Sequence, residues 1–391
     1  MLITMYSNYL THHQVPFCEA MCQQKDIDFY FVSTEKMEEE RISGGWQLKK
    51  QYPYEIKVYE NAISQEKAYQ LAEKSDVIIV GSAPEIYVQK RMKSIESRNK
   101  LTFRYSERFY KNGRWRVISP RGLILRYQTY FRYIGKPLYM LCASSYTCGD
   151  LAMLGSYIGR CYKWGYFPKT IRYKDINDIL SNKKSRTIIW VARMIKFKHP
   201  EKAIYIAQKL KNENIDFHLT MVGNGPLFNH IYMMIQKNNL QKYITLIGSI
   251  PEEEVRTLME QHDILLATSD YHEGWGAVVN EGMNSGCVPV ISSSMGSAGF
   301  LIKNGINGYA CSLSDNVDDE MYLYIKTLLF DKEKKRNMSI NAYHTIVDEW
   351  NAENAAFKFV NICRELMNGK KKYYGNGVCS KASIFTKRND K

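Results

Sequence analysis

The sequence predicts an α/β protein built from two successive doubly wound, Rossmann-like domains, and three observations carry that expectation. The chain has 391 residues, more than one compact core usually holds at roughly 100–200 residues per domain. Short apolar or β-branched runs alternate with charged segments of helical spacing, the pattern of parallel strands covered by helices. That alternation runs through the chain twice, with a break near Tyr166-Phe167-Pro168.

In the first series, Leu2–Tyr6, Phe29–Ser33, Val77–Gly81, Leu101–Tyr105 and Tyr139–Ala143 read as strands. In the second, Thr187–Ala192, His218–Val222, Ile244–Ile247, Ile264–Ala267 and Val288–Ser292 do so more clearly. Helical patterns follow the first two of these, at Glu201–Asn212 and Leu227–Lys237, and a last helix is expected at Glu353–Met367. The expected organisation is a first domain at 1–170, a second at 171–347, a segment at 348–368 returning to the first, and a basic tail at 369–391 that is disordered or surface-bound. Two such domains facing each other would leave a cleft at the carboxyl ends of their strands, where open α/β sheets bind ligands.

Composition narrows the class. No stretch reaches the roughly 18 uninterrupted apolar residues that span a bilayer, and the opening Met1-Leu2-Ile3-Thr4 lacks the basic region of a secretory signal. A cytoplasmic protein is expected, peripheral to the membrane at most. The nine cysteines show no Cys-x-x-Cys pair and no zinc-type spacing, so reduced, mostly buried thiols are expected. The net charge is +14, yet residues 101–200 alone carry 20 Lys and Arg against 4 Asp and Glu, a balance of 20 − 4 = +16. Within that block, Arg121 to Tyr139 interleaves arginines with Tyr127, Tyr130, Phe131, Tyr133 and Tyr139. Such a segment suits an anionic membrane surface or a nucleic-acid backbone, or is simply a solvated basic helix with its aromatics turned inward.

The most specific run is Glu273-Gly-Trp-Gly-Ala-Val-Val-Asn-Glu281, which follows a buried strand and a turn. Gly274 and Gly276 let backbone approach a ligand and aim amides at an anion. Eight residues make a little over two helical turns, so Glu281 lies on the face that looks back toward Glu273. One carboxylate beside a phosphate-bound sugar and another accepting hydroxyls from a ribose make chemical sense. Upstream, Arg193 and Lys198 stand five positions apart after a strand, where fixed cations would stabilise a leaving diphosphate. Gly223-Asn-Gly225-Pro226 opens another strand-to-helix turn, and Gly248-Ser-Ile250 follows the next strand.

These motifs resemble glycosyltransferase family 4, whose E-x₇-E signature Glu273 to Glu281 reproduces and whose pattern continues in Pro289–Ser292, Gly296 and Asn304-Gly-Ile-Asn-Gly308. The resemblance implies a GT-B fold, a retaining transfer and a nucleoside-diphosphate sugar, UDP- or GDP-linked, as donor. It assigns Glu281 to the ribose, Glu273 to the donor sugar, Gly274, Trp275, Gly276 and Ala277 to backbone contacts with phosphate, and Arg193 and Lys198 to the diphosphate. Gly223 would be mainly structural with a minor role at the phosphates, and Gly248 with Ile250 would meet the base. Ala192 stands where the family usually has glycine. No metal and no cofactor beyond the co-substrate are implied; Asp26-Ile-Asp28 has the form of a metal-binding pair but precedes its strand, at the end opposite the expected site.

The first half is less explicit. Ser7 to Gln14 follows the first strand, and His12, His13 or Gln14 would suit hydrogen bonding to an acceptor hydroxyl. Some family members carry a histidine where this chain has Ser106 and Glu107, so Glu107 is either an acceptor-side group or a partner for a nearby arginine. Ser106-Glu-Arg and Lys163-Trp-Gly-Tyr-Phe-Pro168 resemble a bacterial surface-polysaccharide subgroup, which implies a saccharide or lipid-diphosphate-linked acceptor and gives the basic 121–139 block an anionic membrane to meet. Two rival functions remain open at this stage: a nucleotide-sugar epimerase of the same fold, and, on charge alone, a non-enzymatic nucleic-acid-binding protein.

Overall fold

The computed structural model describes the chain except for residues 40–47, 49, 95–99, 112–118, 313–316 and 385–391. It divides into two compact units, Met1–Pro168 with Asn351–Lys391, and Lys169–Trp350.

The first unit is built on a seven-stranded parallel sheet: β1 (Leu2–Ser7), β2 (Asp28–Ser33), β3 (Glu55–Lys57), β4 (Val77–Val80), β5 (Leu101–Ser106), β6 (Leu138–Cys142) and β7 (Cys161–Lys163), in spatial order β3-β2-β1-β4-β5-β6-β7. The second has six parallel strands: β8 (Thr187–Val191), β9 (His218–Val222), β10 (Ile244–Ile247), β11 (Ile264–Ala267), β12 (Val288–Ser292) and β13 (Tyr309–Cys311), ordered β10-β9-β8-β11-β12-β13. Both are doubly wound sheets, and strand order reverses beside β1 and β8, the topological switch points.

All ten strands expected from sequence are present within a residue or so of their expected ends, because apolar or β-branched residues dominate each run. Period-two alternation distributes their side chains. Ile188, Trp190, Ile264, Leu266, Val288 and Val290 pack with Ile204 and Ala207 of the helix Pro200–Asn212. Ile189 and Leu265 enter the other core, with Met259 of the helix Glu252–Gln261. Each fully buried side chain of this size contributes about 1.5–3 kcal/mol. The three strands not foreseen, β3, β7 and β13, have three residues each, too few to show a period.

Asn351 caps the helix Ala352–Met367 by accepting from the Asn354 amide at 2.8 Å. The helix packs on Val15–Cys22, and its Phe359 meets Phe103 and Trp164 with ring centroids 4.9 and 5.7 Å apart.

Of the two expectations for the tail, disorder does not hold for residues 379–382. Lys163 donates its amide to the Ser380 carbonyl at 2.8 Å, Cys379 to Lys163 at 2.9 Å and Ala382 to Cys161 at 3.1 Å. Val378 and Cys379 are completely buried. The segment therefore covers β7, an edge strand whose unpaired backbone is a ready template. Its scarcity of apolar residues misleads because the pairing is made by main chain. Residues 385–391 lie outside the described part. Among the described residues no helix is long and apolar enough to cross a membrane. All nine cysteines are free, with Cys22 exposed and Cys148 partly so.

Candidate functional site

In the second unit, the residues singled out in sequence sit at the carboxyl ends of the strands. Arg193 and Lys198 follow β8, Gly223 follows β9, Gly248 follows β10 and Glu273 follows β11. The switch point lies between β8 and β11, and Lys198 and Glu273 meet there: the Lys198 ammonium donates to the Glu273 carboxylate. Both side chains are largely shielded, at 15% and 12% exposure, so the pair gains from a lowered local dielectric. Glu273 also accepts from Ser269 Oγ at 2.9 Å.

The turn that carries Lys198 is held from below. Trp190 Nε1 donates to Thr268 Oγ1 at 2.9 Å, and Thr268 Oγ1 donates to the Lys198 carbonyl at 2.7 Å. The Asp270 amide reaches the Phe197 carbonyl at 2.9 Å. Asp270 also joins two histidines, His199 Nε2 at 3.2 Å and His272 Nδ1 at 2.9 Å, while His199 Nδ1 meets Glu201 at 2.6 Å. The Glu201 contact, helped by Asp270, raises the His199 pKa. Sequence reading missed this cluster, since a histidine before Pro200 reads as an ordinary helix start.

Gly223 and Gly225 are required by the close packing of their turn. At φ +130° a Cβ on Gly223 would lie 1.9 Å from the Ala192 carbonyl oxygen, and at φ +154° one on Gly225 would lie 2.6 Å from that of Met194. Ala192 and Met194 in turn donate amides to Val222 and Asn224. Close approach after β8 thus falls to the β9 turn, which lets Ala192 stand where a glycine was expected.

The Glu273–Glu281 run combines a constrained turn, a short helix and a buried tryptophan. Gly276 takes φ +86°, and a Cβ there would fall 2.4 Å from Met295 Cε. The helix Val278–Asn284 starts at Ala277, whose side chain makes no cap, so its first amides have no side-chain acceptor from that position. Trp275 is buried, its Nε1 donates to Asn280 Oδ1 at 2.8 Å and its ring packs near Phe300 and Trp350, leaving only its backbone for a ligand. Burial, reinforced by the Glu252 charge and opposed by Arg256, pushes the Glu281 carboxyl up to about 7. The helix bearing Glu281 packs on Glu252–Gln261, where Arg256 donates to Asn284 Oδ1 at 2.8 Å, which joins the two segments expected at the nucleoside. Gly248 is partly exposed, with open space where a Cβ would project, and its carbonyl accepts from the Gly223 amide at 3.2 Å. Ile250 packs against the Ile189 core. Arg193 is exposed on its turn. Asn304 to Gly308 proves structural: buried Asn307 bonds Leu301 and Thr345, and Gly308 abuts Pro289.

In the first unit, His13 and Glu107 come together through Tyr166. The Tyr166 hydroxyl donates to Glu107 Oε1 at 2.7 Å, and its ring stacks on His13 with centroids 6.3 Å apart. Lys111 donates to the other Glu107 oxygen at 2.9 Å, so the charge partner is a lysine rather than an arginine. Burial, with the His12 charge second, lowers His13 to about 3, which keeps it a neutral imidazole. His12 lies 3.8 Å from His13 between ring centroids. Gln14 is committed locally, accepting from Thr11 N and Oγ1 at 3.1 Å, and Ser106 Oγ donates to the Glu107 carbonyl at 3.0 Å. Tyr166 could have been found in the Lys163–Pro168 run, where only its turn character was used.

Two parallel-sheet units with ligand-type residues at the strand ends define a protein of GT-B architecture. Residues 172–345, which fall within the second unit, match the family described as glycosyl transferases group 1. The "N-acetyl-alpha-D-glucosaminyl L-malate synthase" of Bacillus anthracis is 25% identical over 195 residues, 48% of this chain and 49% of that protein. The "Phosphatidylinositol N-acetylglucosaminyltransferase GPI3 subunit" of Saccharomyces cerevisiae is 29% identical over 149 residues, 37% of this chain and 32% of that protein. The match thus spans half or less of these curated relatives. Among solved structures, Anabaena Alr3699/HepE in complex with UDP superposes with a TM-score of 0.63 at 12% identity, covering 92% of this chain and 98% of that one, a likeness of fold.

Proposed function

We propose that the protein is a retaining, metal-independent hexosyltransferase that moves a sugar from a UDP- or GDP-linked donor to a saccharide or lipid-diphosphate-linked acceptor, in surface-polysaccharide assembly on the cytoplasmic side. The observation that carries this is the meeting of Lys198 with Glu273 at the β8/β11 switch point of the unit that matches group 1 glycosyl transferases. A cation and a carboxylate at one spot suit a diphosphate and the sugar it carries.

In this reaction the bond from the anomeric carbon to the diphosphate oxygen breaks, and a new one forms to the acceptor oxygen on the same face. The acceptor proton passes to a phosphate oxygen of the leaving group. Arg193 and Lys198 stabilise the negative charge that develops there, a role worth several kcal/mol in a preorganised site. Backbone from Gly274 to Ala277 lies against the phosphates, Glu273 against the sugar hydroxyls, and Glu281 against the ribose. Gly223 shapes the phosphate turn, and Gly248 with Ile250 flanks the base. Acceptor recognition falls to the His13, Tyr166 and Glu107 group.

The test is transfer itself: a panel of UDP- and GDP-sugars with saccharide acceptors, the anomeric configuration of the product read by NMR, and a chelator arm. A product of retained configuration at an unchanged rate in chelator supports the assignment. Donor isomerisation without transfer would instead identify an epimerase, and inversion would remove the same-face mechanism.

A further inference from the structure

The helix Pro120–Thr129 has ten residues and buries none of them. Its exposed face is apolar: Leu123, Ile124 and Tyr127 are 50%, 56% and 61% exposed. At 100° per residue these three occupy one arc of about 100°. Gly122, Arg126 and Thr129, on the other side, are only partly exposed, and Arg126 lies over the Phe131 ring at 4.4 Å. Leu125, 50% exposed, lies off that arc, and Ile134, 61% exposed, follows shortly beyond the helix.

The base is firmly held. Tyr157 donates its hydroxyl to the Thr129 carbonyl at 3.1 Å and stacks near Tyr130, and buried Tyr133 reaches Glu85 at 3.3 Å. A fixed platform therefore presents the apolar face outward rather than folding it in. Water-exposed side chains of this size forgo the stabilisation that burial would supply.

Charge identifies what covers it. Between Glu107 and Asp150 the sequence has no acidic residue. Arg121, Arg132 and Lys136 are exposed around the helix. Long basic side chains near an apolar arc that includes a tyrosine match an interface-lying helix, whose apolar face sinks about 5–10 Å while cations meet lipid phosphates. A protein partner or nucleic acid would satisfy only one half of this surface.

We propose that the Pro120–Thr129 helix, with Arg132, Ile134 and Lys136, is a docking surface for an anionic lipid bilayer. It lies within the first unit and does not depend on the glycosyl-transfer assignment.

The full chain is sedimented with vesicles of phosphatidylcholine alone or with phosphatidylglycerol added. Binding is expected to the anionic vesicles and to weaken with salt. Leu123→Ser, Ile124→Ser and Tyr127→Ser together should lower partitioning at least about tenfold, and Arg121→Gln, Arg132→Gln and Lys136→Gln together on the order of 10²-fold, at about 1 kcal/mol per cation. A Leu123→Trp variant should shift its fluorescence to the blue on anionic vesicles, which reports burial rather than surface attraction. Unchanged thermal melting of these surface variants verifies the fold. Equal binding to neutral vesicles, indifference to the serine substitutions, or absence of the blue shift would overturn the proposal. So would a dimer that the serine variant disperses while vesicles recruit neither form.

Discussion

Lys198 and Glu273, 75 positions apart, form an ion pair where strand order reverses between β8 and β11. Neither residue type at either place is unusual. Their junction is what gives the second unit a charged centre at its strand ends, with Thr268 and Ser269 bracing it from the β11 side.

Removing the cation should disable transfer. Lys198→Ala is expected to lower turnover by on the order of 10²-fold or more, as loss of a transition-state charge partner does, and Arg193→Ala similarly. Steady-state kinetics with the best donor of the panel measures both. Near-normal rates in either variant would remove that residue from the diphosphate.

Glu281 supplies a pH signature. Its carboxyl is raised to about 7 from an ordinary 4.5, so in that window the native chain holds more proton than the unfolded one. Its contribution to stability is full below about 4.5 and is lost as pH rises toward 7. Ribose hydroxyls donate to the ionised form, so donor affinity should rise as pH passes through 7. Titration calorimetry with a nucleotide sugar, whose esterified phosphates stay ionised throughout, would show this trend in the wild type and its absence in Glu281→Gln. A parallel slope in the variant would place the titrating group elsewhere.

Gly223→Ala tests the close turn. The new Cβ meets backbone, which has no rotamer to escape into, at a φ that disfavours side chains. The turn bearing Arg193 must shift, and donor binding should weaken at least about tenfold, since sub-ångström displacement of a charged site is costly. Calorimetry decides. Wild-type affinity would mean that the β8 and β9 turns do not hold the phosphates.

Lys183 offers a stability prediction away from the site. Its ammonium donates to the carbonyls of Met259, Glu260, His262 and Ser285 at 2.7–3.2 Å. Lys183→Met strands these buried acceptors and should cost about 3 kcal/mol, lowering the melting temperature by roughly 6–12 °C for a unit of this size. Circular dichroism melts give the answer, and an unchanged midpoint would show that water replaces the ammonium without penalty.

The legible part of this protein is what a local pattern encodes. Strands such as Ile264–Ala267 announce themselves because burial on both faces demands an unbroken apolar run, and the Glu273–Glu281 spacing is a property of one turn and one helix. Long-range placement was not legible. Nothing near Lys198 forecasts Glu273 as its partner, nothing near His199 forecasts Asp270, and Tyr166 joins His13 to Glu107 only after the sheet has folded. The pairing of residues 379–382 with β7 was not legible either, because edge pairing uses backbone, which composition does not record.

The central claim, that the second unit holds a nucleotide-sugar donor between Lys198 and Glu281, is tested most directly by calorimetry with UDP- and GDP-sugars on the wild type, Lys198→Ala and Glu281→Ala. The account predicts saturable binding of at least one donor to the wild type, weakened about tenfold or more in each variant, as loss of a hydrogen bond to a charged group entails. Absence of binding to any donor, or equal affinity in all three proteins, would contradict it.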